Sequence, residues 1–245
     1  MTALWHGQHR RWGRLWALLL LFAALAPGMA MAGPWPRAVG ETFAAFSVSR
    51  NLSPGSAFIG QTDFDAQKTS TGLFLEYGLT ERWTIGAQGD LSRDDGSFTG
   101  SGAVFARRFL HRWENGVLIA AGASLGADVR PDRTDLSIAP FLTVGRGFES
   151  PLGNGWATAD LSVEIGTATT AVFEGSATVG LNLGNRWLAF IDTFGEAPAM
   201  TELQLTIAPS VAVRVGERRH LAASVFTNVI GEAETGFRIS LWQRF

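Results

Sequence analysis

Apolar and polar residues alternate with a period of two through most of this chain. Trp83, Ile85, Ala87, Gly89 and Leu91 fall on one side, with Thr84, Gln88, Asp90 and Ser92 on the other. Ala159, Leu161, Val163 and Ile165 alternate with Thr158, Asp160, Ser162 and Glu164. Phe173, Ala177, Val179, Leu181 and Leu183 oppose Glu174, Ser176, Thr178 and Asn182. Leu203, Leu205, Ile207, Val211, Val213 and Val215 oppose Glu202, Gln204, Thr206, Ser210 and Arg214. Such a pattern predicts strands with one face in an apolar medium and one in a polar medium. Each segment is about ten residues long or a little more, which is what a tilted strand needs to cross a bilayer. A soluble β-sandwich also alternates, but its strands average about five to six residues. It would also have to bury the mid-strand charges Asp160, Glu164 and Glu174.

The connections between these segments fall into two sets. One set is 78–82, 113–116, 150–155, 184–186 and 215–219; the other is 52–70, 93–98, 130–134, 167–170, 196–200 and 230–233. Five turns of one kind and six of the other make 12 strands, with both termini on one side. The expected fold is all-β: a transmembrane, antiparallel, up-and-down β-barrel with periplasmic termini. Closure pairs every backbone group inside the membrane, and even strand numbers are the rule. Trp83, Trp113, Trp156, Trp187 and Trp242 all fall near the periplasmic turns. They are expected to form an aromatic girdle, because an indole suits an interface with one wet edge. Leu136-Ser137-Ile138-Ala139-Pro140 is echoed by Leu205-Thr206-Ile207-Ala208-Pro209, two hairpins later. The two prolines are expected at bulges or at a narrowing of the wall.

The ends of the chain fit this reading. Arg10, Arg11 and Arg14 precede an apolar run from Leu15 to Ala26, and Ala30-Met31-Ala32 is a small-x-small cleavage site. Residues 1–32 are thus expected to be a secretory signal peptide, and residues 33–245 the barrel. The apolar run is shorter than the roughly 20 residues of a spanning helix. At the other end, Phe237, Ile239, Leu241 and Phe245 alternate with Arg238, Ser240 and Arg244, and the chain stops on an aromatic. This segment resembles the C-terminal signature of bacterial outer-membrane β-barrels, except at Gln243, where an apolar residue is usual. The resemblance implies the outer membrane of a Gram-negative cell. It also implies lipid and lipopolysaccharide as surroundings and recognition of the strand ending at Phe245 by the barrel-assembly machinery.

Composition removes several function classes. The mature chain loses three arginines with the leader, leaving 17 basic against 22 acidic residues, so nucleic acid is not an expected partner. There is no cysteine, hence no disulfide and no thiolate metal site. No cofactor and no metal site is expected. Asp63 and Asp65 lie in the long first loop without a third ligand pattern, and no phosphate loop or HExxH motif occurs. The two mature histidines, His111 and His220, fall at periplasmic turns without a neighbouring serine or an orienting carboxylate, so no catalytic residue is assigned.

The inner face is where function is expected. Parity aims Glu76, Gln88, Asp90, Asp160, Glu164, Glu174, Gln204, Arg214 and Arg238 inward, interleaved with Phe141, Phe190, Phe226 and Trp242. A mixed lining suits passage of a small amphipathic or aromatic solute. It also suits a packed, closed lumen, since a barrel of this size encloses little space beyond its own side chains. Acids on the seventh and eighth strands, opposed by Arg214 and Arg238, would set up a transverse field or lock the barrel with salt bridges. Three readings follow: a non-enzymatic channel for small solutes, a closed structural barrel, and a lipid-modifying outer-membrane enzyme.

Leu75-Glu76-Tyr77-Gly78-Leu79-Thr80-Glu81-Arg82-Trp83-Thr84-Ile85-Gly86, with Phe64-Asp65-Ala66 upstream, resembles the opening hairpins of an outer-membrane transporter family labelled MetA-pathway of phenol degradation. The similarity is strongest over residues 41–92. It implies a porin-like channel or uptake protein for hydrophobic or aromatic compounds.

Overall fold

The computed structural model describes residues 34–52, 68–94, 96–167, 171–198 and 203–245. Residues 1–32, expected to be a signal peptide, and Asp63 and Asp65 lie outside the described residues.

Twelve strands run in chain order: β1 (Thr42–Leu52), β2 (Thr69–Gly78), β3 (Trp83–Asp94), β4 (Ser97–Arg112), β5 (Leu118–Val129), β6 (Thr134–Ser150), β7 (Gly153–Gly166), β8 (Val172–Leu183), β9 (Trp187–Pro198), β10 (Gln204–Arg214), β11 (Arg219–Ile230) and β12 (Thr235–Arg244). Each pairs antiparallel with its neighbours in sequence, and β1 pairs with β12, which closes the barrel. Closure leaves no unpaired strand edge. With an even number of strands, the start of β1 and the end of β12 sit at one end, here called the inner end.

Alternation explains the two faces. Leu73, Ile85, Leu125, Leu161, Phe173, Ile191, Val225 and Ile239 are all exposed on the outside. An apolar surface this extensive is not tolerated in water and fits a lipid belt. The residues between them face the interior. The inner-end turns are tight. In the one between β2 and β3, the Thr80 hydroxyl accepts hydrogen bonds from the amides of Arg82 and Trp83, at 3.3 and 3.0 Å. This is the physical content of the Gly-Leu-Thr-Glu-Arg-Trp motif: a serine/threonine turn that re-enters the sheet at the tryptophan.

The two prolines are not at bulges. Ile138 pairs with Ile165 and Phe141 with Ser162, so β6–β7 keeps one register across Pro140. Ile207–Thr227 and Ser210–Ser224 do the same across Pro209 between β10 and β11. Each proline simply leaves a gap in the ladder to one neighbour, because it has no N–H to donate. The register shifts lie elsewhere, at Phe109/His111 and Leu205/Thr206.

The segment before β1 turns into the barrel at the inner end. The Gly40 amide donates to the Gly78 carbonyl at 2.8 Å, and the Gly78 amide donates to the Glu41 carbonyl at 3.0 Å. Pro34 is fully buried, and Trp35 packs on a cluster of Trp156, Phe190, Ala212 and Ala222. A Cβ on Gly145 would lie 2.5 Å from Pro34 Cγ, so glycine at that position makes room for this strap.

Candidate functional site: the barrel lumen

A cavity of about 1090 Å³ runs through the lumen, lined from Glu164 and Gln204 near the outer end to Arg186 and Arg218 at the inner turns. Its lining changes character along the axis.

The outer half is acidic. Asp128, Glu164, Glu174 and Glu196 come from β5, β7, β8 and β9, and the other three all bear on Glu164 as like charges. Ser162 Oγ donates to Glu174 Oε2 at 2.8 Å. Deeper, Asp160 accepts from Thr143 Oγ1 at 2.6 Å and from Ser176 Oγ at 3.2 Å. Asp192 accepts from Thr178 Oγ1 at 2.6 Å. These hydroxyls replace water around carboxylates that face a confined space.

The inner half is aromatic and cationic. Phe43, Phe74, Phe105 and Phe141 follow one another at 6.3, 5.8 and 6.3 Å between ring centroids, on β1, β2, β4 and β6. Trp156, Phe190 and Trp242 continue on β7, β9 and β12 at 6.4 and 5.6 Å. The strands between carry small inward residues: Gly86, Gly122 and Gly180 lie under Phe105, Phe141 and Trp156, and Ala212 and Ala222 bridge Phe190 to Trp242. A side chain on any of those glycines would collide with the ring above it. The result is a collar in two arcs, each built by rings covering glycine or alanine on the next strand.

Beside the first arc, Glu76 is 4 % exposed and binds two arginines. Arg37 Nη2 lies 2.6 Å from Oε2 and Arg107 Nη2 2.7 Å from Oε1. The Arg37 guanidinium also sits 4.5 Å over the Phe43 ring. Glu41 joins at 3.7 Å from Arg37 Nη1, so the strap is held by a charge-assisted, four-residue ion network. Further round the inner mouth, Arg186, Arg214, Arg218 and Arg244 line the cavity, with Arg244 paired to Phe43 in the ladder.

The structure sorts the residues expected to line the lumen. Glu76, Gln88, Asp90, Phe141, Asp160, Glu164, Glu174, Gln204 and Arg214 border the cavity. Phe190 and Phe226 are buried in packing, Phe226 against Gly236 and under the Arg238 guanidinium, 5.8 Å away. Arg238 bears on Asp90 and Asp192 across the barrel. The expected transverse opposition of Arg214 to Glu164 and Glu174 is corrected: Arg214 ends β10 at the inner mouth, whereas the two acids sit at the outer ends of β7 and β8. Charge is separated chiefly along the axis.

The girdle needs a second correction. Trp83, Trp113 and Trp187 are exposed at the inner rim, as an interfacial ring requires. Trp156 and Trp242 are inside. Trp156 is 3 % exposed, and Trp242 packs on the same cluster. Trp156 pairs with Gly147 and Gly180 on the inward parity of Thr158 and Asp160, so its ring is directed into the lumen whatever its depth. His111 stacks edge-on with Trp113 at 4.8 Å, and His220 lies 6.3 Å from Trp242. Gln243, the exception in the terminal strand, accepts a hydrogen bond from Arg219 Nε.

Sequence reasoning missed Phe43, Phe74 and Phe105, the acids Asp128, Asp192 and Glu196, and the pair Arg37 and Arg107. Parity alone would have found most of them: Asp192 shares a face with Phe190, and Arg107 with Phe105. Arg37 precedes the first strand and carries no parity signal.

No family model and no curated protein matches the chain. Solved structures do. The KdgM porin, solved in complex with oligogalacturonate, superposes with a TM-score of 0.60 at 8 % identity, covering 83 % of this chain and 99 % of KdgM. An outer-membrane channel from Pseudomonas putida F1 gives 0.59 at 11 % identity, covering 89 % and 100 %. The fold is that of an outer-membrane β-barrel. LpxR from Salmonella typhimurium, an enzyme, shares it at 0.55 and 10 % identity, covering 82 % of this chain and 99 % of its own. The fold thus carries both channels and an enzyme, and what the lumen does must be argued from the lumen.

Proposed function

We propose that this barrel is an outer-membrane channel for small hydrophobic or aromatic solutes. The observation that carries the reading is the aromatic collar bordering a continuous cavity of about 1090 Å³. A water-filled pore has no need of rings at its narrow end. A ring-lined passage lowers the cost of desolvating an apolar solute and offers stacking partners on the way through. The cavity also argues against a lumen filled as a purely structural barrel. KdgM was solved with a sugar polymer; here the collar favours a smaller and less polar cargo, in keeping with the resemblance of residues 75–86 to the phenol-pathway transporters.

The test is single-channel recording of the refolded mature protein in a planar bilayer, with phenol and toluene added as blockers. Discrete conductance steps that these solutes interrupt are the expected result. A barrel that is folded by heat-modifiable gel migration but electrically silent, and that does not take up either solute into vesicles, would overturn the channel reading.

A further inference from the structure

The inner mouth concentrates positive charge that the barrel itself does not neutralise. Arg214 ends β10, pairs with His220 on β11, and His220 pairs with Trp242 on β12, so all three share one row of the lumen wall. Arg244 follows Trp242 on the same face. The Arg244 amide donates to the Arg218 carbonyl at 3.0 Å, and the Arg214 amide to the Arg186 carbonyl at 2.8 Å, which ties four arginines into one sector of the rim. Among the described residues, no carboxylate lies within 4.0 Å of any of these guanidiniums, although Arg37, Arg107 and Arg133 all have such a partner. Arg214 and Arg37 both bear on Arg244 as like charges, and the one acid that bears on it, Glu41, is already bridged by Arg37 at 3.7 Å. Like charges converging on a cavity without a counter-ion form a site suited to an anion.

The neighbours define which anion. Trp242 and Leu188 flank the arginines, border the cavity and are only partly buried. A guanidinium binds a carboxylate through two parallel hydrogen bonds, and an indole offers a flat apolar face. We infer that the inner mouth is a binding station for a small aromatic carboxylate, whose acid group is taken by Arg214, Arg218 and Arg244 and whose ring lies against Trp242. This deepens the channel reading and rests on it for the solute's route, though not for binding itself. The acidic arc of β5–β9 repels a carboxylate at the other end, so binding is expected at the inner mouth and not at the outer one.

The experiment is calorimetric titration of the refolded mature barrel in detergent with benzoate, acetate, benzyl alcohol and inorganic phosphate as probes. Benzoate is expected to bind at least about ten-fold more tightly than the other three: its charge-assisted hydrogen bonds separate it from benzyl alcohol, and its ring against Trp242 separates it from acetate and phosphate. The double variant Arg214→Gln/Arg244→Gln should lose about ten-fold or more of that affinity, and Arg214→Lys/Arg244→Lys less, since charge is kept but the fork is lost. Heat-modifiable migration checks folding; if the double variant does not fold, Arg218→Gln in its exposed turn should still lower benzoate affinity several-fold. Benzyl alcohol matching benzoate would leave only an apolar pocket and overturn the inference. Phosphate matching benzoate would reduce the cluster to a simple anion site and overturn the assigned class. Benzoate affinity unmoved by Arg218→Gln and by the double variant would also overturn it. Benzoate binding in a barrel that is silent in bilayers would sustain the station and sink the channel; conduction without benzoate binding would do the reverse.

Discussion

The outer half of the lumen is built on carboxylates and hydroxyls, the inner half on rings and guanidiniums. Both are made by the same twelve strands, with the same inward parity. They differ in how much side chain fills the space. At the outer end, Glu174 and Glu196 are exposed, and Ser137, Ser162 and Thr206 leave the cavity wide. At the inner end, Trp156, Phe190 and Glu76 are buried, Trp35 of the strap and Trp242 pack on the ring cluster, and Arg37 and Arg107 close on Glu76. A loosely lined half tolerates substitution and sets electrostatics, whereas a packed half sets stability and closure. That difference is measurable.

Two tryptophans give the largest contrast. Trp156→Ala removes a buried ring from the collar and should cost about 3–5 kcal/mol of unfolding free energy. Trp83→Ala at the lipid-facing rim should cost less than half as much. Denaturant titration in lipid vesicles reads both, and equal costs would end the distinction between packed interior and girdle.

Next comes the ion network. Glu76→Gln leaves Arg37 and Arg107 buried with half a partner and should destabilise by about 3 kcal/mol, the low end for breaking a buried pair. The same change at Glu164, which stands among like charges in the outer arc, should shift stability by no more than about 0.5 kcal/mol, as for a surface substitution. A costly Glu164→Gln would mean that the outer half is also packed.

Gly145→Val tests the strap directly. The added carbons occupy the place of Pro34, so the strap must move, at about 1–3 kcal/mol for overpacking. Residues 34–41 should become cleavable by protease from the inner side, and single-channel conductance should rise. Unchanged protection and conductance would show that the wall gives way instead.

The smallest effect on stability should have a clear electrical signature. Glu164→Gln with Glu174→Gln removes two of the four outer carboxylates and should move the reversal potential in a salt gradient toward anion preference. An unmoved potential would take these acids out of the conduction path.

Much of this molecule was legible in the chain. The alternation at Trp83–Leu91 and Ala159–Ile165 predicted strands of the observed kind, and two sets of turns predicted their number. The Thr80 turn could be read as a turn, and its hydroxyl bonds show why. Trp156 and Trp242 were harder. Their chemistry suggested an interface, but face is decided by parity, and parity aimed both inward. Pro140 and Pro209 suggested bulges, yet a strand keeps its register past a proline when only one ladder bond is lost. Arg37 was invisible as a functional residue, because nothing local marks a residue outside the strands as the partner of Glu76.

The sequence by itself determined the strands, their two faces and their count, because a period of two is a local property that each segment carries alone. The tertiary structure decided which residues meet. Closure and strand stagger brought Phe105 over Gly86 and Trp156 over Gly180, gathered Asp128, Glu164, Glu174 and Glu196 from four strands at one mouth, and set Arg186, Arg214, Arg218 and Arg244 at the other. Those meetings depend on register between distant segments and on a strap that folds back inside, and no local pattern encodes either.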